Sequence, residues 1–274
     1  RSSRSGNNVE AGQWRTVLGP LRSGAAALER LNGLVLPAGL LRGGLKSADL
    51  RFGALEPDPA ATLVALLEGS ASSLTDLNLG GNQWMASIGA AAVEGLAALT
   101  QLRSLELSAL DKPGFVVASQ ALGFLVRLER VNLSMTPIGR DIIATVVGAF
   151  APHTLLRSLQ LRACSIGVDG GLRMAAVLSR LHALRDLDLG DNDLHHKGAV
   201  AVTQSLLSLT GLLSLDLSLN AIGDEGCTEA AEALGQITTL QSLLLSDSEL
   251  SESARGQVEG LLHRPGVLKI MTAA

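Results

Sequence analysis

Aromatic residues are nearly absent from this chain of 274 residues. They make up 2% of it, with no tyrosine, two tryptophans and four phenylalanines. Tyrosine and tryptophan are enriched at the energetic centres of protein interfaces. Their scarcity predicts that any interface of this chain is broad and polar.

Charge and cysteine are also scarce. Charged residues account for 18% and the formal net charge is −4, which argues against nucleic-acid binding because that requires a concentrated basic face. Only two cysteines are present, Cys164 and Cys227, at unlike repeat positions, which favours a reducing, intracellular compartment over a disulfide framework. No apolar stretch reaches the roughly 18 residues of a membrane span, so membrane insertion is not predicted.

What is abundant is leucine at a fixed spacing. The pattern Leu-x-x-Leu-x-Leu, with Val131 in one leucine position, occurs seven times and starts at Leu74, Leu102, Leu128, Leu156, Leu184, Leu212 and Leu240. The intervals are 28, 26, 28, 28, 28 and 28 residues, and a constant period of this size predicts a solenoid. Alternation around the fourth and sixth places predicts a short strand, and spacing such as that over 224–234 predicts a helix. Each unit is therefore strand, turn and helix, with parallel strands.

The period also divides the chain. We predict a tail or disordered segment at 1–9, an N-terminal cap at 10–44, about eight repeats over 45–267 and a C-terminal cap strand at 268–274. A helix is expected from Ala25 to Leu31, and a last partial strand from Val267 to Ile270. The Arg- and Ser-rich opening fits a flexible tail, with a cleaved transit segment as the alternative. The localisation is accordingly cytoplasm or an organelle.

The ninth place of each copy is expected to bond the backbone of the adjoining turn. It is filled by Asn82, Leu110, Thr136, Cys164, Asn192, Asn220 and Ser248. Cys164 is on this basis structural. Leu110 cannot bond through its side chain, and its copy is short and contains Pro113, so that repeat should be irregular.

The segment from Leu212 to Gly226 resembles leucine-rich repeat proteins of the ribonuclease-inhibitor-like, intracellular subclass with repeats of about 28 residues. That subclass includes ribonuclease inhibitor, Ran GTPase-activating protein and the sensor arrays of NOD-like receptors. The resemblance implies an α/β horseshoe solenoid with a parallel sheet on the concave face and helices on the convex face. It brings no functional residue to this chain, because the same scaffold serves unrelated partners.

The third, fifth and seventh places point away from the buried leucines and onto the concave face. With Asp191 beside them, they supply the candidate partner-binding residues Asp49, Asp76, Asn78, Glu106, Arg130, Gln160, Arg162, Asp186, Asp188, Asp191 and Asp216. A negative cluster of Asp186, Asp188, Asp191 and Asp216 predicts a docking groove for a Lys- or Arg-bearing protein segment, and a solvated polar face is the alternative. Arg130 and Arg162 are expected to flank it and to pair with Gln160 or with partner acids.

No catalytic, metal-ligand or cofactor motif emerges. His195 and His196 are adjacent but have no third ligand at a usual spacing. His153 falls where other copies have Leu99, Leu181 and Leu209, so we expect partial burial, and Trp84 falls at a core position.

The sequence therefore predicts a non-enzymatic protein–protein interaction scaffold, a subunit of a larger intracellular or organelle assembly. An apolar helix containing Ile142, Ile143, Val146, Val147 and Phe150 suggests a convex face that a partner covers. The alternative is a regulator of a small GTPase, resembling Ran GTPase-activating protein.

Overall fold

A single parallel sheet organises the molecule. The computed structural model describes residues 30–31, 34–35, 44–51, 67, 69–82, 85–245, 251–262 and 269–271. Nine of its strands pair in parallel, one for each coil and in sequence order: β3 Ser47–Asp49, β4 Asp76–Asn78, β5 Ser104–Glu106, β6 Arg130–Asn132, β7 Ser158–Gln160, β8 Asp186–Asp188, β9 Ser214–Asp216, β10 Ser242–Leu244 and β11 Lys269–Met271. The solenoid predicted from the period is therefore confirmed.

The middle residue of each strand from β3 to β10 is buried in the core. Leu77 and Leu187 are each 2% exposed and Leu243 is 0% exposed. Since side chains alternate along a strand, the flanking residues lie on the opposite, concave face. Burial of each such leucine contributes about 1.5–3 kcal/mol, and this fixes the register of every strand.

Besides a 3₁₀ helix at Leu206–Ser208, seven α-helices whose two ends are described return the chain along the convex side. They are α1 Met85–Ala97, α2 Lys112–Leu122, α3 Gly139–Phe150, α4 Gly167–Leu178, α5 His195–Ser205, α6 Gly223–Leu234 and α7 Glu252–Leu262. Helices α3 to α6 begin at the twelfth place, where the residue has a positive φ of 57° at Gly139, 68° at Gly167, 50° at His195 and 72° at Gly223. Three of these four positions carry glycine, the residue that tolerates this conformation best.

The short repeat is irregular, as predicted. Helix α2 begins one place earlier than α3, with a proline in its first turn. Asp111 is its N-cap and accepts a hydrogen bond from the Gly114 backbone N–H at 2.9 Å. A side-chain cap thus satisfies a donor in this shortened turn.

The helix predicted from Ala25 to Leu31 is wrong at its C-terminal end. Arg30–Leu31 (β1) pairs antiparallel with Leu34–Val35 (β2), so these two residues form a strand, and 25–29 lie outside the described residues.

The apolar face of α3, which the sequence suggested a partner covers, is buried within the chain. Ile142, Ile143, Val146 and Phe150 are between 0% and 5% exposed. Residues four apart lie on one helix face, and in α3 that face packs on the core and gives no reason for a covering partner.

At the other end, β11 pairs Lys269 to Met271 with Ser242 to Leu244 of β10. It overlaps the partial strand expected from Val267 to Ile270, of which 267 and 268 lie outside the described residues.

Close packing between α4 and α5 depends on glycine. A Cβ placed on Gly171 would lie 3.0 Å from the Cα of Gly198 and 3.0 Å from Leu194 Cδ2. The backbones of α4 and α5 are in contact at this point. Neither helix can shift to make room for a methyl group without disturbing its packing on the core.

We expect Gly171→Ala to lower the free energy of unfolding by about 1–2 kcal/mol, because overpacking outweighs the better helix propensity of alanine. The matched control is Gly148→Ala in α3, where a Cβ meets nothing within 4 Å. It should raise the free energy of unfolding by about 0.5–1 kcal/mol. Urea denaturation measures both, and equal effects of the two substitutions would contradict this account of the packing.

Candidate protein-interaction surface

The candidate residues lie on the concave face at the places that the repeat assigns to them. Strand pairing sets Asn78 opposite Glu106, Gln160 opposite Asp188, and Asp188 opposite Asp216. Neighbouring strands are about 4.8 Å apart, so these fifth-place side chains form a continuous column. Gln160, Asp186 and Asp191 are exposed, as are Asp49 and Arg130, whereas the other candidate residues are half-buried.

The acids and amides of the fifth-place column also serve the turn that follows each strand. Their side-chain oxygens accept a hydrogen bond from the backbone N–H two residues later, in the pairs Asn78–Gly80 (3.0 Å), Glu106–Ser108 (3.1 Å), Asn132–Ser134 (2.9 Å), Asp188–Gly190 (2.9 Å) and Asp216–Ser218 (2.8 Å). Asp, Asn and longer acceptors commonly close turns in this way. Part of the polarity of the concave face therefore has a structural cause that the spacing did not reveal.

Arg162 lies inside the negative cluster. Its Nη1 is 2.9 Å from Asp216 Oδ2 and 3.9 Å from Asp188 Oδ1, and it donates to Ser218 Oγ at 3.3 Å. From the sequence we expected Arg162 to flank the cluster, with Gln160 or a partner's acid as its counterpart; it instead lies within the cluster and pairs with Asp216 and not with Gln160. The guanidinium instead neutralises part of the charge of two aspartates on successive strands.

Gly190 provides the space for this arrangement. It is the seventh-place residue after β8, and a Cβ there would overlap Arg162 Nη1. The long side chain of Arg162 can therefore extend across the coil of β8 to an acid two coils away. The one feature of the sequence that indicates this contact is the glycine itself: Gly190 stands at the place where the following copy has Ser218.

Asp188 is the aspartate with the most unusual environment in the cluster. Burial raises the pKa of its carboxyl; the hydrogen bond from Gly190 and the charge of Arg162 lower this pKa, and the charge of Asp216 raises it. The net pKa is above its ordinary value. Removing Arg162 would raise the pKa further, because one of the opposing causes would be lost.

The remaining candidate residues form separate groups. Arg130 donates to Asp76 Oδ1 at 3.1 Å across two coils, and Asp49 pairs with Arg51 at 2.9 Å. Glu106 Oε2 accepts from Asn132 Nδ2 at 2.8 Å. Within the chain Arg130 therefore pairs with Asp76 and not with Gln160. The acid-rich part of the surface is centred on β8 and β9.

The ninth-place residues form a buried ladder behind the concave face. Asn192 Nδ2 donates to the carbonyls of Leu161 and Leu189 at 2.7 and 2.9 Å, and its Oδ1 accepts from the Cys164 backbone N–H at 2.9 Å. Cys164 Sγ donates to the Leu133 carbonyl at 3.2 Å, and burial raises the pKa of the thiol to about 12. The structural role predicted for Cys164 is confirmed, and the thiol is poorly suited to nucleophilic chemistry because the thiolate is the reactive form.

None of the histidines that the structure describes is among the residues of the concave site. His196 lies on the convex side, with Nε2 3.2 Å from Glu229 Oε1 and Nδ1 3.9 Å from Glu225 Oε2. His153 is 0% exposed, where partial burial was expected, and its ring meets Phe150 edge-on at a centroid distance of 5.6 Å. Burial lowers the pKa of His153, against the opposing effect of nearby carbonyls such as that of Phe150. Trp84, expected in the core, lies outside the described residues.

We expect the buried His153 to make the protein less stable in mild acid. Below an unfolded-state pKa of about 6.5, the unfolded chain binds a proton that the native state does not. The free energy of unfolding therefore falls as the pH decreases from that value to the lower native pKa, by up to about 1.4 kcal/mol per pH unit. His153→Leu, which installs the residue of the equivalent coils, should remove this contribution.

The measurement is urea denaturation between pH 5 and pH 7.5. The exposed His182 provides the matched variant His182→Leu, which retains His153 and should retain the dependence. If His153→Leu has the same pH profile as the wild type, the buried histidine is not its cause.

The helices in the described part of the chain are all too short or too polar to cross a lipid bilayer.

Comparison with known proteins identifies the repeat. Residues 181–202 and 209–229 match the family described as Leucine Rich repeat. The search of curated proteins gave no match. Similar solved structures include Leiomodin-1 Actin-Binding Site 2, at 21% identity over 53% of this chain and 84% of that chain with a TM-score of 0.46. Another is the leucine-rich repeat-containing protein LegL7 from Legionella pneumophila, at 18% identity over 80% of this chain and 91% of that chain with a TM-score of 0.41. The two matched stretches contain β8 and β9, the coils that carry the acid-rich part of the concave face.

Proposed function

The fold is an α/β leucine-rich repeat solenoid, and from this premise we propose that the chain is a non-enzymatic protein–protein interaction scaffold. In this proposal it acts as a subunit of a larger intracellular or organelle assembly. A buried, hydrogen-bonded Cys164 thiol supports a reducing compartment.

The concave face is the proposed binding surface, and its acid-rich part carries the proposal. Three carboxylates, those of Asp186, Asp188 and Asp216, project from β8 and β9, and among the described residues Arg162 is the cation that contacts two of them. A Lys or Arg side chain of a partner segment would meet uncompensated negative charge there. Complementarity of this kind steers association and fixes the register of the bound segment.

The surrounding residues give this surface its extent. The pairs Arg130–Asp76 and Glu106–Asn132 extend the polar concave surface towards β4. In each pair the two side chains are hydrogen-bonded to each other. An exposed ion pair such as Arg130–Asp76 contributes little to stability, about 0–1 kcal/mol. Its two side chains remain available to exchange partners, so we propose that the basic segment lies along the column from β9 towards β4.

The experiment compares two variants with the same change in formal charge. Gln160→Lys with Asp186→Lys adds positive charge at two exposed concave positions, one opposite Asp188 in the strand pairing and one two residues before it on β8. Asp169→Lys with Gln204→Lys makes the same change at exposed positions on α4 and α5. Proteins that co-purify with the wild type are identified by mass spectrometry, and their affinities are then measured with purified chains.

A partner of the concave face should bind the convex-face variant normally and the concave-face variant at least about tenfold more weakly. Thermal unfolding of both variants should be close to that of the wild type, because neither removes a buried contact. Equal affinity for the two variants would refute the concave site. The proposal of a GTPase regulator rests on the resemblance alone, and stimulated GTP hydrolysis by a small GTPase would favour it over a scaffold.

A further inference from the structure

A second surface lies at the edge of the solenoid where each helix returns to the next strand. In four successive coils this connection comprises residues 98–103, 123–129, 151–157 and 179–185, which we call the return edge. The connections are in register, because the backbone N–H of Glu129 donates to the Arg103 carbonyl at 2.8 Å and that of Arg157 donates to Glu129 at 2.7 Å. Equivalent side chains in adjacent coils are therefore neighbours.

The return edge is strongly basic. It contains five arginines and one acid, for a formal charge of +4 with histidine neutral, in a chain whose net charge is −4; the residues are Arg103, Arg127, Glu129, Arg157, Arg180 and Arg185. All five arginines are exposed. The acid-rich part of the concave face is centred on β8 and β9, so it adjoins the return edge at the coil of β8 and has the opposite charge.

Three of the five arginines are held by side-chain contacts. Glu129 accepts from Arg103 Nη1 at 2.7 Å and lies 3.6 Å from Arg157 Nε, and Arg127 Nη1 donates to Gln101 Oε1 at 2.6 Å. A guanidinium fixed on one side presents its other N–H groups in a planar fork that suits a carboxylate. These contacts preorganise the edge for directional recognition.

Exposed apolar side chains lie among these arginines. Phe124 is 61% exposed, Val126 is 48% exposed and Leu155 is 51% exposed. The 28-residue register places Leu155 beside Arg127 in the adjacent coil, one position from Val126. The two other described phenylalanines, Phe115 and Phe150, are 0% exposed. Phe124 is therefore the exception among the described phenylalanines, because its side chain is exposed to solvent.

We propose that the return edge binds an acidic segment of a protein partner that also carries apolar side chains. Its apolar residues would pack on Phe124, Val126 and Leu155, and its carboxylates would bind Arg157 and its neighbours. Aromatic and arginine side chains together are the composition typical of interface centres. A lipid surface or a nucleic acid would also attract positive charge, but fixed guanidinium forks and an aromatic anchor favour a peptide.

This surface is separate from the concave face and requires the opposite partner charge, so it stands or falls independently of the concave site. The test is selection of a random 12-residue displayed peptide library on the full chain. Each enriched peptide is then synthesised, and its affinity is measured for Phe124→Ser, for Arg157→Glu and for two controls. The controls are Leu219→Ser, a 50% exposed leucine at the opposite edge, and Arg173→Glu on the exposed side of α4.

The expected result is a family of peptides rich in Asp or Glu and in aromatic or leucine residues. Phe124→Ser and Arg157→Glu should each weaken them at least about tenfold, and the controls should bind within about twofold of the wild type. Raising the salt concentration should weaken binding, because the arginines contribute through charge. Enriched peptides that are basic or neutral, or that bind all four variants equally, would overturn the proposal. Failure to enrich any peptide would also overturn it. Vesicles containing phosphatidylserine and a DNA oligonucleotide are tested in the same way. If the chain binds one of these probes and no peptide, and Arg157→Glu abolishes that binding, the edge recognises a lipid surface or a nucleic acid and the proposal is overturned.

Discussion

Replacing Asn220 with alanine is expected to lower the free energy of unfolding by about 3–4 kcal/mol. The side chain is 0% exposed and makes five hydrogen bonds to backbone groups. Its Nδ2 donates to the carbonyls of Leu189, Leu217 and Ser218 at 2.9, 2.9 and 3.2 Å. Its Oδ1 accepts from the backbone N–H groups of Asn192 and Leu194 at 3.1 and 3.2 Å.

The large effect follows from what alanine leaves behind. Two backbone N–H groups of the preceding coil would lose an acceptor in a place that water does not reach, and a buried unsatisfied group costs about 1–3 kcal/mol. Asn220 bonds to Asn192, which in turn bonds to Cys164. The loss therefore affects the stacking of neighbouring coils, on which a solenoid depends for its stability.

Thr136 provides a matched comparison at the same ninth place. Its hydroxyl makes two long contacts, with the Leu110 backbone N–H and the Leu107 carbonyl, each at 3.3 Å. Thr136→Ala should cost only about 1 kcal/mol. Urea denaturation followed by circular dichroism gives both values, and a cost for Asn220→Ala no larger than that for Thr136→Ala would contradict the role assigned to the asparagine ladder.

The period and the leucine positions were sufficient to predict the parallel sheet, the buried face of each strand and the role of the ninth place. Those features follow from the burial of apolar side chains, which recurs with the period of the sequence: Leu77 on β4 and Leu187 on β8, four strands apart, are equally buried. Backbone conformation was harder to predict. The eighth place has a positive φ at Ala109, Met135 and Leu219, at 54°, 59° and 55°, although only one copy, with Gly81, has the residue that would indicate it.

Glycines illustrate the same limit. Gly198 and Gly226 lie within helices α5 and α6, although glycine is typical of the turns between strand and helix. A Cβ at Gly226 would be 2.8 Å from Ile222 Cγ2 and 3.1 Å from the His196 Cα. These glycines permit close approach of neighbouring helices, and a one-dimensional pattern does not distinguish that use from a turn.

The partners of the site residues could not be predicted because they lie too far apart in the sequence. Arg162 reaches Asp216, 54 residues later, by passing over Gly190, and Arg130 reaches Asp76, 54 residues earlier. The register predicts which side chains share a column, but the reach of an arginine across two coils depends on the volume of the residue between them. The position of a charge was therefore predictable, whereas its neutralisation was not.

Arg162 occupies the place that a basic partner residue would take in the proposed concave site, and this gives the site an internal competitor. We expect Arg162→Gln to raise the affinity for a basic partner segment about tenfold, because Asp188 and Asp216 would then face it without a compensating charge. Gly190→Ala should act in the same direction by displacing the guanidinium from Asp216. Asp188→Asn should lower the affinity about tenfold, so the opposed variants should differ by about a hundredfold.

The sign of the change in affinity distinguishes an effect on binding from an effect on folding. Arg162→Gln removes the contacts with Asp216 and Ser218, which are 2.9 and 3.3 Å long, so it should destabilise the protein slightly while it strengthens binding. General loss of structure would weaken binding in all three variants. Isothermal titration calorimetry with the purified partner distinguishes the outcomes, and weaker binding by Arg162→Gln would show that the guanidinium belongs to the recognition surface and does not compete for it.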